Sequence, residues 1–170
     1  MTGAVFYDSK YGATAAYARW IGAATGLPVF TTADPAADPD RFDVIVLGSP
    51  VYFYKVLLRS WIKLHLRCLT SRPVVFFTVS GAPAGAKLDG WISDSLPPAF
   101  VRHATRFALR GRIDRAELSW IDRLMLDWDA RRNPDPAEAQ QERDGFDGVD
   151  RAAIAPVVAA VRGMLARQAA

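Results

Sequence analysis

Cysteine occurs once in this chain of 170 residues, at Cys68, so an internal disulfide is excluded and a reducing compartment suits the composition. Histidine occurs twice, at His65 and His103, with no spacing that would gather metal ligands. Long apolar runs are absent. The nearest, Ala152 to Ala166, holds Pro156 and Arg162 and falls short of the roughly 18 uncharged residues of a membrane-spanning helix. The first residues lack the basic segment and apolar run of a secretory peptide, because Asp8 and Lys10 interrupt the hydrophobic stretch. The expectation is a soluble cytoplasmic protein, with peripheral contact at the inner face of the cell membrane left open.

An excess of one charge is also missing. Lys and Arg number 21 against 18 Asp and Glu, a formal +3, and the arginines are scattered. Without a reader motif or a basic face carrying stacking aromatics, no nucleic-acid partner is expected, while an anionic substrate or lipid surface stays compatible. Neither of the two best-known phosphate fingerprints is present: no Gly-Lys-Ser/Thr ending and no set of three spaced glycines. Nucleoside triphosphates and NAD are disfavoured accordingly.

What the chain does have is 51% hydrophobic and 23% charged residues, enough for one domain over 1–170 with a buried core. Strand and helix patterns alternate, which predicts an α/β domain with a parallel sheet. Strands are expected at Ala4–Tyr7, Leu27–Thr31, Val44–Gly48, Val74–Val79 and Thr105–Leu109. Helices are expected at Thr14–Ala24, Leu57–Leu69, Leu88–Leu96, Ser119–Arg131 and Asp150–Gln168. The helix 88–96 is expected to stop at Pro97-Pro98, and residues 133–148, with two prolines and a charged run, read as a loop. Leu118, Ile121, Leu124, Met125 and Trp128 share one face of the 119–131 helix, and the expected place for that face is the core. If it lies outside instead, Arg115, Arg123, Arg131 and Arg132 beside it suit anionic lipid.

Chemistry is expected at the carboxyl ends of the strands, where open parallel sheets bind ligands. The first strand ends in Ser9-Lys10-Tyr11-Gly12-Ala13-Thr14, just before a helix whose first N–H groups have no partners and attract a phosphate. Gly12 lets the backbone approach a ligand, and Ser9 and Thr14 bring hydroxyls; the bland alternative is a turn in which one of them caps the helix. A monophosphate held by hydroxyls and amides fits best, and FMN is the candidate. The second loop, Ser49 to Tyr54, offers aromatic faces, and the third, Ser80 to Gly85, offers glycines and amides for the edge of a flat polar ring. Tyr52, Phe53 and Tyr54 cannot all face inward, so at least one is expected to touch a ligand. His65 reads as a partly buried histidine on an apolar helix face, His103 as a surface residue, and Cys68 as a small core or surface residue.

The stretch "YDSKYGAT" is similar to the hydroxyl-x-x-Gly-x-Thr phosphate loop of flavodoxins, and "VIVLGSPVYFYKV" resembles their strand and second flavin loop. "FALRGRIDRAELSWIDRLML" resembles the matching part of the flavodoxin-domain branch that includes the menaquinone-dependent protoporphyrinogen IX dehydrogenases. The resemblance covers almost the whole chain. It implies a flavodoxin-like three-layer sandwich with a five-stranded parallel sheet in order 2-1-3-4-5. It also implies that Ser9, Lys10, Tyr11, Gly12, Ala13 and Thr14 wrap the FMN phosphate. Pro50, Val51 and Tyr52 would lie along the ring, with Phe53 or Tyr54 as alternatives for stacking, and Ser80, Gly81 and Ala82 would approach the pyrimidine edge or the other side.

The activity so implied is dehydrogenation of a porphyrinogen-like small molecule with a quinone acceptor, the flavin being the redox centre and no protein group being assigned to catalysis. Two competing readings are an electron carrier and a flavin-free binding module. Carriers of this fold are typically acidic, which ranks the carrier lower. Two features depart from the family pattern: Ala13 stands where a polar residue is common, and Asp8 brings a negative charge beside the loop and is expected to point away.

Overall fold

The structure, a computed structural model, describes residues 2–169. Three apolar runs form its centre: β1 (Gly3–Tyr7), followed by α1 (Ala13–Thr25) and the short β2 (Val29–Thr31); then β3 (Val44–Tyr52), which turns back into β4 (Lys55–Val56); and, after α2 (Arg59–Leu64) and α3 (Leu66–Ser71), β5 (Val74–Ser80). Next come α4 (Ala86–Ser95), α5 (Pro98–His103), β6 (Thr105–Arg110), β7 (Arg112–Ile113), α6 (Trp120–Arg132), α7 (Pro136–Asp144), β8 (Phe146–Asp147) and α8 (Ala155–Ala169).

The parallel sheet runs β2-β1-β3-β5-β6, with β4 pairing antiparallel to β3. Setting the two-residue β4 aside, this is the expected order of five strands, renumbered by the hairpin. Alternation along the strands splits the core in two. Phe6, Ile45, Leu47 and Phe76 face α2 to α5, whereas Val5, Val46, Val75 and Phe77 face α1 and α8. Strands buried on both sides must be continuously apolar, which is why "VIVL" and "VVFF" were legible. Gly48 belongs to this packing: a Cβ there would lie 2.1 Å from Phe77 Cζ, so the ring occupies the room that glycine leaves.

Four expectations are corrected, and a fifth, the stop at Pro97-Pro98, holds and is extended by a second helix. β3 continues through Ser49–Tyr52 rather than ending at Gly48, because Ser49 and Pro50 stay in register with Thr78 and Val79. The helix expected over 57–69 is two helices, since the backbone of His65 (φ −99°, ψ 16°) leaves the helical region, and both Ile62 and Leu69 are then fully buried. The Pro97-Pro98 pair ends α4 but also opens α5, a first-turn proline costing no hydrogen bond, and Phe100 of α5 packs edge-on against Phe76 at 5.4 Å. Residues 133–148 are not a loop: Asp135 accepts the N–H groups of Ala137 and Glu138, Pro136 opens α7, and Gly145 ends it. The apolar face of α6 is outside the core, with Trp120, Ile121, Leu124, Met125 and Trp128 all exposed, because the opposite face turns inward.

The pairing of β7 with β8 brings the chain back after the excursion 114–145, and Gly148 N–H donates to the Gly111 carbonyl at 3.0 Å. That excursion, α6 and α7, covers the carboxyl ends of the strands. Among the described residues no helix is long and apolar enough to cross a membrane.

Candidate functional site

The chain leaves β1 toward β2 on one side and returns as β3 on the other, so the carboxyl ends of β1 and β3 flank the switch point. A cavity of about 210 Å³ opens there. The structure brings together at it Ser9, Lys10, Tyr11, Ala13 and Thr14 from the first loop, Pro50, Val51, Tyr52, Phe53 and Tyr54 from the second, and Ser80, Gly81 and Ala82 from the third. Gly12 alone of the expected site residues is not on its wall; it supplies the left-handed turn (φ +83°) that starts α1.

The first loop is built as an anion cradle. Gly12 N–H donates to Ser9 Oγ at 3.1 Å, and Ser9 N–H donates to Asp8 Oδ1 at 2.7 Å. Asp8 thereby folds back on its own backbone and is absent from the cavity wall, as expected of it. The N–H groups of Lys10, Tyr11, Ala13, Thr14 and Ala15 have no acceptor among the described residues, and the hydroxyl of Thr14, a residue on the wall, has no partner among them either. Donors in such number at a helix N-terminus suit a phosphate.

The second loop is a two-residue turn in which Phe53 (φ 42°) and Tyr54 (φ 61°) both take left-handed conformations. Turns of this kind favour Asn-Gly, and two bulky residues there store on the order of 1–2 kcal/mol each. Strain kept at a cavity points to a function for the side chains that cause it. The Phe53 ring meets Tyr52 edge-on at 4.5 Å, and Tyr54 lies 5.0 Å from Trp91. In the third loop Ser80 Oγ donates to the Ala82 carbonyl at 2.7 Å.

Sequence reasoning missed the other half of the wall, which comes from α4, the excursion and the β7 and β8 strands that bound it: Lys87, Trp91, Arg112, Leu118, Asp122, Leu126, Asp129, Glu138, Gln141, Glu142 and Phe146 among others. Asp122 is the centre of this half. Its carboxylate accepts the hydroxyls of Tyr11 and Tyr52 and lies 3.0 Å from the Lys10 ammonium, which itself sits 3.7 Å from the centre of the Tyr52 ring. Burial alone would raise the Asp122 pKa, but the donors from Tyr11, Tyr52 and Lys10 outweigh it and hold the carboxyl at about 2. Burial, then the Asp122 carboxylate, pushes both tyrosine hydroxyls up. Nearby, burial raises the Glu142 carboxyl, whose Oε2 has no hydrogen-bond partner among the described residues. The signal that was available for this half is the pair of caps, Ser119 three residues before Asp122 and Asp135 three before Glu138, each of which opens a helix.

Of the bland expectations, His65 is half-buried against Trp61 at 4.4 Å, and His103 is exposed with a ring nitrogen 2.6 Å from the Arg72 carbonyl. Cys68 is buried, and burial pushes its thiol up to about 11.

Sheet order, switch-point cavity and anion cradle define a flavodoxin-like protein. The family model of the flavodoxin domain matches residues 4–134, and the chain belongs to that family. Among solved structures, a WrbA-like flavodoxin of Agrobacterium tumefaciens is 15% identical, with a TM-score of 0.53 over 96% of this chain and 98% of that one. A Megasphaera elsdenii flavodoxin is 23% identical (TM-score 0.47; 63% and 82% covered), and an FMN-bound Fusobacterium nucleatum flavodoxin is 14% identical (TM-score 0.43; 70% and 74% covered). Among curated proteins there is no significant match.

Proposed function

We propose that this cavity holds FMN and that the protein is an FMN-dependent oxidoreductase dehydrogenating a porphyrinogen-like reduced molecule with a quinone as acceptor. FMN is the cofactor that the family and the donor set support. The free N–H groups of the first loop and the Thr14 hydroxyl would bind its phosphate, Pro50 to Tyr54 would flank its ring, and Ser80 to Ala82 would meet its polar edge. When bound, FMN supplies two-electron redox chemistry. Each turnover moves two electrons and two protons from the substrate to one quinone, which leaves as quinol, and a porphyrinogen reaches the porphyrin after three such turnovers.

The observation that carries the enzyme reading over the carrier reading is the roof. A carrier needs its flavin edge open to a docking partner, whereas here α6 and α7 extend the cavity beyond the three loops and add Leu126, Asp129, Glu138 and Glu142 to its wall, facing Trp91 of α4. That is room for a second reactant, with water reduced by apolar cover. Glu142 Oε2, an acceptor without a donor, suits a substrate that carries N–H groups.

The test is anaerobic. Protein loaded with FMN is offered protoporphyrinogen IX with a menaquinone analogue, and porphyrin fluorescence is followed. Multiple turnovers support the reading. Rapid electron exchange with a flavodoxin reductase and no turnover favours the carrier, and no bound flavin spectrum defeats both.

A further inference from the structure

We infer that the outward face of α6 is a docking surface for an anionic lipid bilayer. On this helix the usual arrangement is reversed. Asp122 and Asp129 turn into the cavity wall, while Trp120 (75% exposed), Leu124 (64%) and Trp128 (53%) form an i, i+4, i+8 row on the outside, flanked by the exposed Ile121 and Met125. Burying polar groups and exposing apolar ones is costly in water, so the face is built for another surface.

The charge says which one. Arg131 and Arg132 extend the same row at its C-terminal end, and the Arg132 guanidinium lies 3.7 Å from the centre of the Trp128 ring. Among the described residues neither arginine has a carboxylate within ion-pair distance, whereas Asp127, at the edge of the face, is held by Arg115 at 2.8 Å. Apolar stripe, terminal tryptophans and unpaired arginines are the make-up of a helix lying in a membrane interface. With 13 residues α6 is too short to span, so it lies in the plane. A second copy of the chain fits poorly, because a two-fold interface would bring the arginines of both copies together on a face whose half-exposed carboxylate, Asp127, is already paired with Arg115. Leu118 and Leu126 continue the apolar surface from α6 into the cavity wall, so a lipid-dissolved reactant would find the mouth beside the bilayer. The surface itself is independent of what the cavity holds.

The experiment is vesicle flotation of the full chain, with phosphatidylcholine alone or mixed with phosphatidylglycerol, and tryptophan emission read with brominated lipid. The expected result is binding to the anionic vesicles, weak binding to the neutral ones, and quenching by bromolipid. Arg131→Gln with Arg132→Gln should lower partitioning by about 30-fold, at about 1 kcal/mol per arginine. Leu124→Asp with Trp128→Asp should abolish it, with far-UV circular dichroism as the folding check. The inference is overturned if wild type ignores anionic vesicles, if the arginine variant partitions equally, or if the face proves to be a dimer contact, seen as concentration-dependent sedimentation that Leu124→Asp removes.

Discussion

Tyr52, the last residue of β3, donates its hydroxyl to Asp122 in the first turn of α6. The same carboxylate takes the Tyr11 hydroxyl and the Lys10 ammonium, so one buried charge ties the first two loops to the roof of the cavity. Asp122→Asn keeps the shape and removes the charge, leaving Lys10 and two hydroxyls short of an acceptor. It should destabilise the protein by about 1–3 kcal/mol, and hydrogen exchange should quicken in 114–145 before it does in the sheet. Uniform exchange across both regions would refute the tie.

The same residue sets an acid response. Its carboxyl titrates at about 2 in the folded state against an ordinary 3.8, so the folded form binds the proton less readily than the unfolded one. The stability it contributes, about 2 kcal/mol, is present above pH 4 and lost as pH falls toward 2. Denaturant midpoints measured between pH 5 and 2 should fall more gently for Asp122→Asn than for wild type.

The anion cradle makes a second demand. Thr14→Val removes a hydroxyl on the cavity wall that has no partner among the described residues, so the fold should be nearly indifferent while FMN affinity drops about tenfold. Flavin fluorescence titration measures it. Unchanged affinity would leave the loop a mere helix cap.

At the strained turn, stability and binding should move in opposite directions. Phe53→Asn with Tyr54→Gly installs the pair that left-handed turns favour and relieves the backbone, at the expense of the contacts with Tyr52 and Trp91. Thermal stability should be unchanged or higher by up to about 1 kcal/mol, and FMN binding weaker. A large loss of stability would show that these aromatics hold the fold rather than the ligand.

In the sheet, Gly48→Ala should cost about 1–3 kcal/mol, because its methyl group meets the Phe77 ring, and Phe77→Leu in the same chain should recover part of the loss. Additive losses in a double-mutant cycle would contradict the packing.

The sheet and the three loops were legible because each is a local signal: a doubly buried strand reads as a continuous apolar run, and a loop between strand and helix reads as glycine and hydroxyls. The roof was not. The stripe on α6 is the same pattern whether it meets a core or faces outward, and only the burial of Asp122 opposite decides between them. Residues 133–148 hide a helix behind a proline, because Pro136 looks like a breaker until Asp135 before it is seen to cap. Nothing local could announce that Tyr11 reaches Asp122, since the two residues are 111 positions apart in the chain.

The closure of β7 on β8 sets the chain down where it departed, with Gly148 hydrogen-bonded to Gly111. Everything from Asp114 to Gly145 is therefore a cassette: a tight turn in its place would leave strand order and both cores unchanged and cost less loop entropy to close. Sheet and phosphate loop form a chassis, and exchange of the cassette is the simplest way for such a chain to change what it acts upon.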